Sequence, residues 1–356
     1  MTDTVFERLA DALNRLPNGF PRTASGVEIR ILKKIFSPEQ AALAGQLSGE
    51  FEPLETIAPR AGQPAGEVSR LLFKMVRSGM VWFDKPDRQA FFRLAPFVVG
   101  VYEAQAELMD HELAHLVEDY FAEGGTQGIM GLQPALHRVV PAAGTVKAEA
   151  ILPYEDVRAI LLSARTFNVI DCICRLQQDQ LGSPCKFPVH VCINFSQNEH
   201  ADRPGDISQA EALSLLEQCE QVGLVHTVSN VMEGVGYVCN CCGCCCGILR
   251  GITKFGIENS VAYSAYYAVI DPQFCAACGN CIERCQVGAI SAGEGFSVVE
   301  RSRCIGCGLC VSGCPNSVAR LERKAEAEIV QPPKDFAEWE HERLVNRGMI
   351  EAGPGR

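Results

Sequence analysis

The 356-residue chain lacks the features that mark several large function classes. Its fully apolar runs are far shorter than the ~20 residues a membrane helix needs, so no membrane span is expected. The opening stretch, MTDTVFERLADALNRL, has no basic segment leading into an apolar core. No secretory signal is expected from it, and the reading is cytoplasmic. There is no Walker A loop and no glycine fingerprint set between a strand and a helix, so no nucleotide or flavin site is argued. Basic charge is scarce: 32 Lys and Arg face 43 Asp and Glu, for a net charge of −11. An acidic chain disfavours bulk binding to nucleic acid or anionic lipid. The first 171 residues contain no cysteine at all.

The remainder holds 19 cysteines, all between Cys172 and Cys314. A disulfide framework belongs to small secreted chains, and nothing here points to secretion. Clustered thiols in such a chain read as metal ligands. Hydrophobic residues at 47% with charged residues at 21% indicate a globular, ordered chain, and its length allows two or three domains.

The expected fold class is α+β and multidomain. Residues 1–98 read as a compact helical domain ending in a hairpin. Ser37-Pro38-Glu39-Gln40 is a capping-box helix start. Phe51–Gly62 predicts a short helix, and Gln63–Ser78 a longer one with Val68, Leu71, Leu72, Met75 and Val76 on one face. Two strands follow, Met80–Phe83 and Ala90–Leu94. This order resembles a winged helix-turn-helix domain. Residues 99–150 read as an acidic helix to Glu123, carrying seven acids and no Lys or Arg, then an irregular connector. Residues 151–260 form a cysteine-rich α/β module. It has a helix at Asp156–Arg165, a buried strand at Asn168–Ile173, a capped helix from Ser208 to Gln221 and a strand at Leu224–Val228. Residues 261–323 form a distinct stretch. Residues 324–356 are a charged tail with a helix near Asp335–Val345, expected to pack along the surface or against a partner.

The stretch 261–323 carries the strongest signal. Cys275-x2-Cys278-x2-Cys281-x3-Cys285 is followed by Cys304-x2-Cys307-x2-Cys310-x3-Cys314-Pro315. This duplicated spacing is the bacterial-type ligand run for two [4Fe–4S] clusters. Zinc ribbons also use paired Cys-x2-Cys, but not two quartets at this spacing. The stretch resembles the bacterial-type 2[4Fe–4S] dicluster ferredoxins. The resemblance implies that cluster I takes Cys275, Cys278, Cys281 and Cys314, and cluster II takes Cys304, Cys307, Cys310 and Cys285. It also implies that Gly279, Gly306 and Gly308 let the backbone approach inorganic sulfide. The first repeat departs from the pattern, with Gln286 where proline is usual.

A second constellation lies upstream. Cys172-x-Cys174-Arg175 precedes Cys185 and Cys192, and later comes Cys239-Asn240-Cys241-Cys242-Gly243-Cys244-Cys245-Cys246. Ten thiols exceed the four of one tetrahedral site. Three readings stand: one or more further Fe–S clusters, which is favoured; a zinc site built from some of the thiols; or a non-standard cluster with chemistry of its own. Thiolate softness suits iron–sulfur and zinc alike. Cys-Cys-Gly occurs twice and is similar in that motif alone to the cysteine-rich domains of heterodisulfide reductases. The wider CICR…CNCCGCCCG arrangement resembles an uncharacterised family of multi-cysteine ferredoxin-like iron–sulfur proteins with an N-terminal winged-helix-like region. That resemblance brings no established reaction. Arg175 reads equally as a donor to a cluster sulfur or as a surface arginine. Cys219 follows Ala212, Leu215 and Leu216 at helical spacing and reads as core.

Two motifs compete less well. His111-Glu112-Leu113-Ala114-His115 matches the zinc-protease pattern but lacks a third ligand, so a solvated helix face is the favoured reading. Arg70, Lys74 and Arg77 form a basic stripe where a recognition helix would meet DNA. Residues 1–100 carry 13 basic and 11 acidic side chains, too near balance for a strong DNA-binding field.

The functional expectation is single-electron transfer through iron–sulfur clusters to a protein partner, a flavin- or metal-containing oxidoreductase. A non-catalytic electron-transfer role is preferred over an enzymatic one. The alternatives are a redox- or iron-responsive winged-helix transcription regulator, and an oxidoreductase with a catalytic Fe–S site in the middle module. Oligomeric state, potentials and direction of electron flow are not legible.

Overall fold

The computed structural model describes residues 2–146, 151–199, 203 and 205–352. Helix (42%) outweighs strand (16%), and every ladder pairing among the described strands is antiparallel. This is a mixed helix-and-sheet fold of the α+β kind. The chain divides into two compact units, one of residues 1–132, 176–184 and 340–356, the other of residues 133–175 and 185–339. No helix among the described residues is long and apolar enough to cross a membrane.

The first unit opens with helices α1 (Thr2–Arg15), α2 (Val27–Ile35) and α3 (Pro38–Ala44). The α3 capping box forms as its sequence requires: Ser37 accepts from the Gln40 amide while Gln40 accepts from the Ser37 amide. Phe51–Gly62 is not helical throughout. Glu52–Pro53 forms a short strand, β1, and helix α4 starts only at Leu54 (Leu54–Ala61). Helix α5 (Ala65–Arg77) buries Val68, Leu71, Leu72 and Met75. Strands β2 (Val81–Asp84) and β3 (Phe91–Leu94) form the expected hairpin, and β1 pairs on its other side. Phe73, Phe83 and Phe92 close the hairpin onto α5 with ring centroids 5.3–5.5 Å apart.

The single acidic helix expected over 99–123 is broken. A short 3-10 turn spans Glu103–Leu108, and helix α6 (His111–Tyr120) starts afresh at Asp110. The Asp110 carboxylate accepts from the Leu113 amide at 2.9 Å, so an acid counted as part of a helical face is an N-cap. The connector expected over 126–150 also holds regular structure: helix α7 (Thr126–Met130) and, in the second unit, strand β4 (His137–Val140). Residues 147–150 of it lie outside the described residues.

The second unit contains a six-stranded sheet ordered β4-β8-β9-β6-β5-β7. Its strands are β5 (Thr166–Asp171), β6 (His190–Ser196), β7 (Asp206–Ile207), β8 (Val225–Ser229) and β9 (Tyr237–Cys241), with β4 at one edge. Helices α8 (Val157–Leu162) and α10 (Gln209–Val222) pack Ile160, Leu161, Ala212 and Leu216 against Phe167, Ile193, Phe195 and Val238. Between them in sequence, α9 (Ile173–Gln180) follows β5. Burial in β5 and β6 alternates, so β5 is half-buried and not buried throughout. With period two, Cys192 lies opposite in face to Val191 and Ile193, and Cys239 and Cys241 share a face. The α10 capping box of Ser208 and Glu211 and its stop at Gly223 form as expected.

Helix α11 (Gly247–Thr253) follows the cysteine-rich loop. Strands β10 (Tyr266–Ile270) and β13 (Ala319–Arg323) then pair along their length. They enclose the short helices α12 (Asn280–Arg284) and α13 (Leu309–Ser312) and the hairpin β11 (Ile290–Ala292)–β12 (Ser297–Val299) in sequence. The tail forms helix α14 (Phe336–Asn346). It is not a surface appendage. In the second unit the Trp339 indole N–H donates to the Ala135 carbonyl at 2.9 Å. In the first, Arg343 is fully buried and donates to the carbonyls of Pro17, Asn18, Ile129 and Leu132 at 2.8–3.3 Å.

Candidate metal centres

The duplicated cysteine run folds so that thiols distant in sequence converge. One pocket, open at its mouth, is lined by Cys275, Cys278, Cys281 and Cys314, with Ile270 and Pro315 among its walls. A second is lined by Cys285, Cys304, Cys307 and Cys310, with Val287 and Leu309. Each cavity draws three thiols from one repeat and one from the other, the same partition that the ferredoxin resemblance implies. The linings are otherwise mostly apolar. Burial pushes the Cys307 thiol up to about 12 and raises Cys310 as well, so a cation is what favours thiolates there. Cys314 moves the other way. Burial opposes ionisation, but backbone amides of Val318, Ala319, Asn316 and Ser317 outweigh it and lower its pKa.

Backbone N–H groups also reach the sulfurs. The Ala268 amide donates to Cys304 Sγ at 3.4 Å and the Ala289 amide to Cys285 Sγ at 3.1 Å. Gly306 sits at φ +70°, and a Cβ there would lie 2.1 Å from Ser264 Oγ and 2.2 Å from the Tyr266 carbonyl. Only glycine fits both the dihedral and the space. Four thiols on each mostly apolar pocket, with backbone amides on Cys285, Cys304 and Cys314, fit a [4Fe–4S] group.

The ten upstream thiols come together in a different way. Cys185, Cys242, Cys244 and Cys245 place all four Sγ atoms within 4.8 Å of one another, and Cys244 and Cys245 are 3.6 Å apart. Cys242 and Cys245 are buried, Cys185 is half-buried and Cys244 is exposed. The other six lie next to one another in a closed order. Cys172 meets Cys174 and Cys192, Cys192 meets Cys239, Cys239 meets Cys241, Cys241 meets Cys246, and Cys246 returns to Cys174. Thr227 Oγ1 also lies 3.5 Å from Cys241 Sγ. Both groups contain thiols held toward thiolate. Hydrogen bonds from Cys244 and Cys245 lower Cys242 strongly, and those from Cys174 and Cys192 lower Cys172.

Arg175 is not a surface residue. It is 3% exposed, and it donates to the Pro188 carbonyl at 2.9 Å and the Asn240 carbonyl at 2.8 Å. Burial opposes its charge, but the sulfurs of Cys172, Cys242 and Cys241 more than offset that and raise its pKa. Its buried Nε has no partner. Cys219 is 1% exposed and packs with Val191 and Leu224; burial pushes its thiol up to about 12. His111 and His115 are both exposed, and Glu112 pairs with Lys34 at 2.6 Å. Neither histidine joins a metal-ligand group among the described residues.

Sequence reasoning missed how the residues flanking Cys285 are used. Arg284 donates to the carbonyls of Leu309, Glu220 and Gln221 at 2.7–2.8 Å. The Gln286 side chain donates to the Gly223 carbonyl at 2.8 Å and accepts from the Gly243 amide at 2.9 Å. A Cβ on Gly243 would sit 1.8 Å from the Gln286 carbonyl oxygen, so the cysteine-rich loop requires glycine at this contact. The departure from proline at 286 was the available signal: it marks where the ferredoxin-like stretch meets α10 and the cysteine-rich loop.

No curated protein and no solved structure shows significant similarity to the chain. Residues 267–315, which span both thiol-lined cavities' loops, match the family model of the 4Fe-4S dicluster domain.

Proposed function

We propose that the protein is an iron–sulfur electron carrier serving a flavin- or metal-containing oxidoreductase in the cytoplasm. In this reading Cys275, Cys278, Cys281 and Cys314 hold one [4Fe–4S] cluster, Cys285, Cys304, Cys307 and Cys310 hold a second, and the middle module holds further metal. The convergence of four thiols on each of two apolar cavities carries the reading. When bound, each cluster supplies a centre that gains or loses one electron at a time.

The chain's own residues set the conditions. Apolar walls such as Ile270 and Leu309 limit water at the sulfurs. The Ala268 and Ala289 amides place partial positive charge on Cys304 and Cys285, which favours the more negative state. The net charge of −11 acts against added electrons and attracts a basic patch on a partner. Protein purified without air is expected to contain at least eight irons and eight sulfides per chain, by ligand count. About four irons or fewer, with zinc in their place, would sink the proposal.

One observation favours a second reading, a redox-responsive winged-helix regulator. Arg70, Lys74 and Arg77 are exposed on α5, immediately before the β2–β3 hairpin. This reading expects DNA binding that changes between oxidised and reduced protein and weakens in Arg70→Ala/Lys74→Ala. Identical binding in both redox states would remove it.

A further inference from the structure

The middle thiols are built as two arrangements with different internal spacing. A single tetrahedral ion with metal–sulfur bonds of ~2.3 Å sets its sulfurs about 3.8 Å apart. Cys185, Cys242, Cys244 and Cys245 are already closed to that scale, with every pair within 4.8 Å and one pair at 3.6 Å. A cubane puts four irons and four sulfides between its thiolates and holds them further apart. The ferredoxin-like quartets behave that way: among the described residues, none of those eight thiols joins a group closed to 4.8 Å.

The remaining six differ from both. Each of Cys172, Cys174, Cys192, Cys239, Cys241 and Cys246 has two of the others as neighbours, and the order of neighbours closes into one ring. No three of the six are mutually within 4.8 Å among the described residues, so the ring is open and not collapsed on a point. Six donors are two more than one tetrahedral ion or one cubane takes. The backbone enforces the division. Cys239 and Cys241 share a face of β9, while the next residue, Cys242, belongs to the quartet; Cys245 belongs to the quartet and Cys246 to the ring. Arg175 is buried beside Cys172 and Cys241 of the ring and Cys242 of the quartet, with an unpartnered Nε donor. A fixed positive charge there offsets thiolate charge on both sides.

We infer that the ten thiols form two separate metal sites of different nuclearity. Cys185, Cys242, Cys244 and Cys245 hold one tetrahedral thiolate-bound ion, zinc or a single iron, and the ring of six holds a polynuclear iron–sulfur centre. The division stands on the thiol geometry; only the choice of iron and sulfide in the ring rests on the function proposed above.

Full-length protein made without air, with Cys244→Ser, Cys185→Ser and Cys192→Ser variants, tests this through metal and acid-labile sulfide per chain. Cys244 is exposed, so its replacement spares the core. Cys244→Ser and Cys185→Ser are expected to lose one metal ion each with sulfide unchanged, and the metal lost tells zinc from iron. Cys192→Ser is expected to lose several irons together with sulfide and to keep the quartet ion. Loss of about four irons and four sulfides from Cys244→Ser, or identical losses from quartet and ring variants, would overturn the inference. The unmodified protein gives an independent check. It should contain either one zinc with a four-sulfur shell by X-ray absorption, or one mononuclear iron component by Mössbauer spectroscopy; finding neither overturns the quartet site. Magnetic resonance of the two ferredoxin-like centres, recorded on the same samples, reports separately. Their absence would refute the electron-carrier reading while leaving the two-site division to stand on its own counts.

Discussion

The ferredoxin-like stretch and the cysteine-rich module both gather thiols, but by opposite means. In the former, short Cys-x2-Cys loops carry three thiols each, and one more arrives from the other repeat. Three of each four thiols are placed locally, so most of the ligand geometry is kept wherever the loops are kept. In the latter, Cys192 comes from β6, Cys239 and Cys241 from β9, and Cys172 and Cys174 from the end of β5 and the start of α9. There the geometry belongs to sheet register, and a change in sheet packing moves every donor at once. The contrast teaches that one region is specified by spacing and the other by tertiary structure.

The sharpest way to break this contrast is to remove one thiol from the local design. Cys307→Ala is expected to eliminate one ferredoxin-like signal, and about four irons with it, while the other signal persists. Iron analysis and magnetic resonance decide; loss of both signals would mean the two loops are not independent. Next in size, Leu216→Ala opens a cavity under the sheet, where Leu216 is fully buried. A cost of about 2–5 kcal/mol is expected in chemical denaturation. Metal should be lost from the middle module well before the ferredoxin-like signals fade.

Acid provides a third separation. His137 on β4 is buried, accepts or donates to Thr227 Oγ1 at 3.1 Å and meets the Tyr237 hydroxyl at 2.8 Å. Burial holds its pKa down to about 3, against 6.5 for a free imidazole. The folded chain therefore keeps it neutral while the unfolded chain takes up a proton below pH 6.5. The contribution to stability is intact above that pH and falls by about 1.4 kcal/mol per unit as pH drops toward 3. The stretch 261–323 contains no histidine and has no such liability. Unfolding measured against pH, wild type beside His137→Gln, should show the smaller slope in the variant. The smallest expected effect is that of Gln286→Pro, which restores the ferredoxin pattern and deletes two side-chain hydrogen bonds. A cost of about 1–2 kcal/mol follows, with iron content unchanged. A variant that loses the cluster would show that Gln286 supports ligation itself.

These differences explain what could be read in advance. The grouping of three thiols in each ferredoxin-like loop was legible because Cys-x2-Cys spacing brings them together locally, while the fourth comes from the other repeat. The capping boxes at Ser37 and Ser208 were legible because they are local hydrogen-bond patterns. Strand β4 was not, since its first residues, His137 and Arg138, are polar and become buried only through tertiary partners. Asp110 was one acid among seven until its cap to Leu113 split the helix. The four-and-six division of the middle thiols was illegible for a related reason: it depends on β6 lying beside β9, a pairing that no sequence spacing encodes.

The stretch beginning near residue 261 has the outline of a portable cassette, yet Arg284 and Gln286 tie it to its neighbours. Excised alone, it would present a guanidinium with two carbonyl acceptors missing and a glutamine amide with no mate, on either side of Cys285. The donor protein would be left with bare carbonyls at the end of α10. A miniature carrier cut from this chain therefore calls for redesign at both positions.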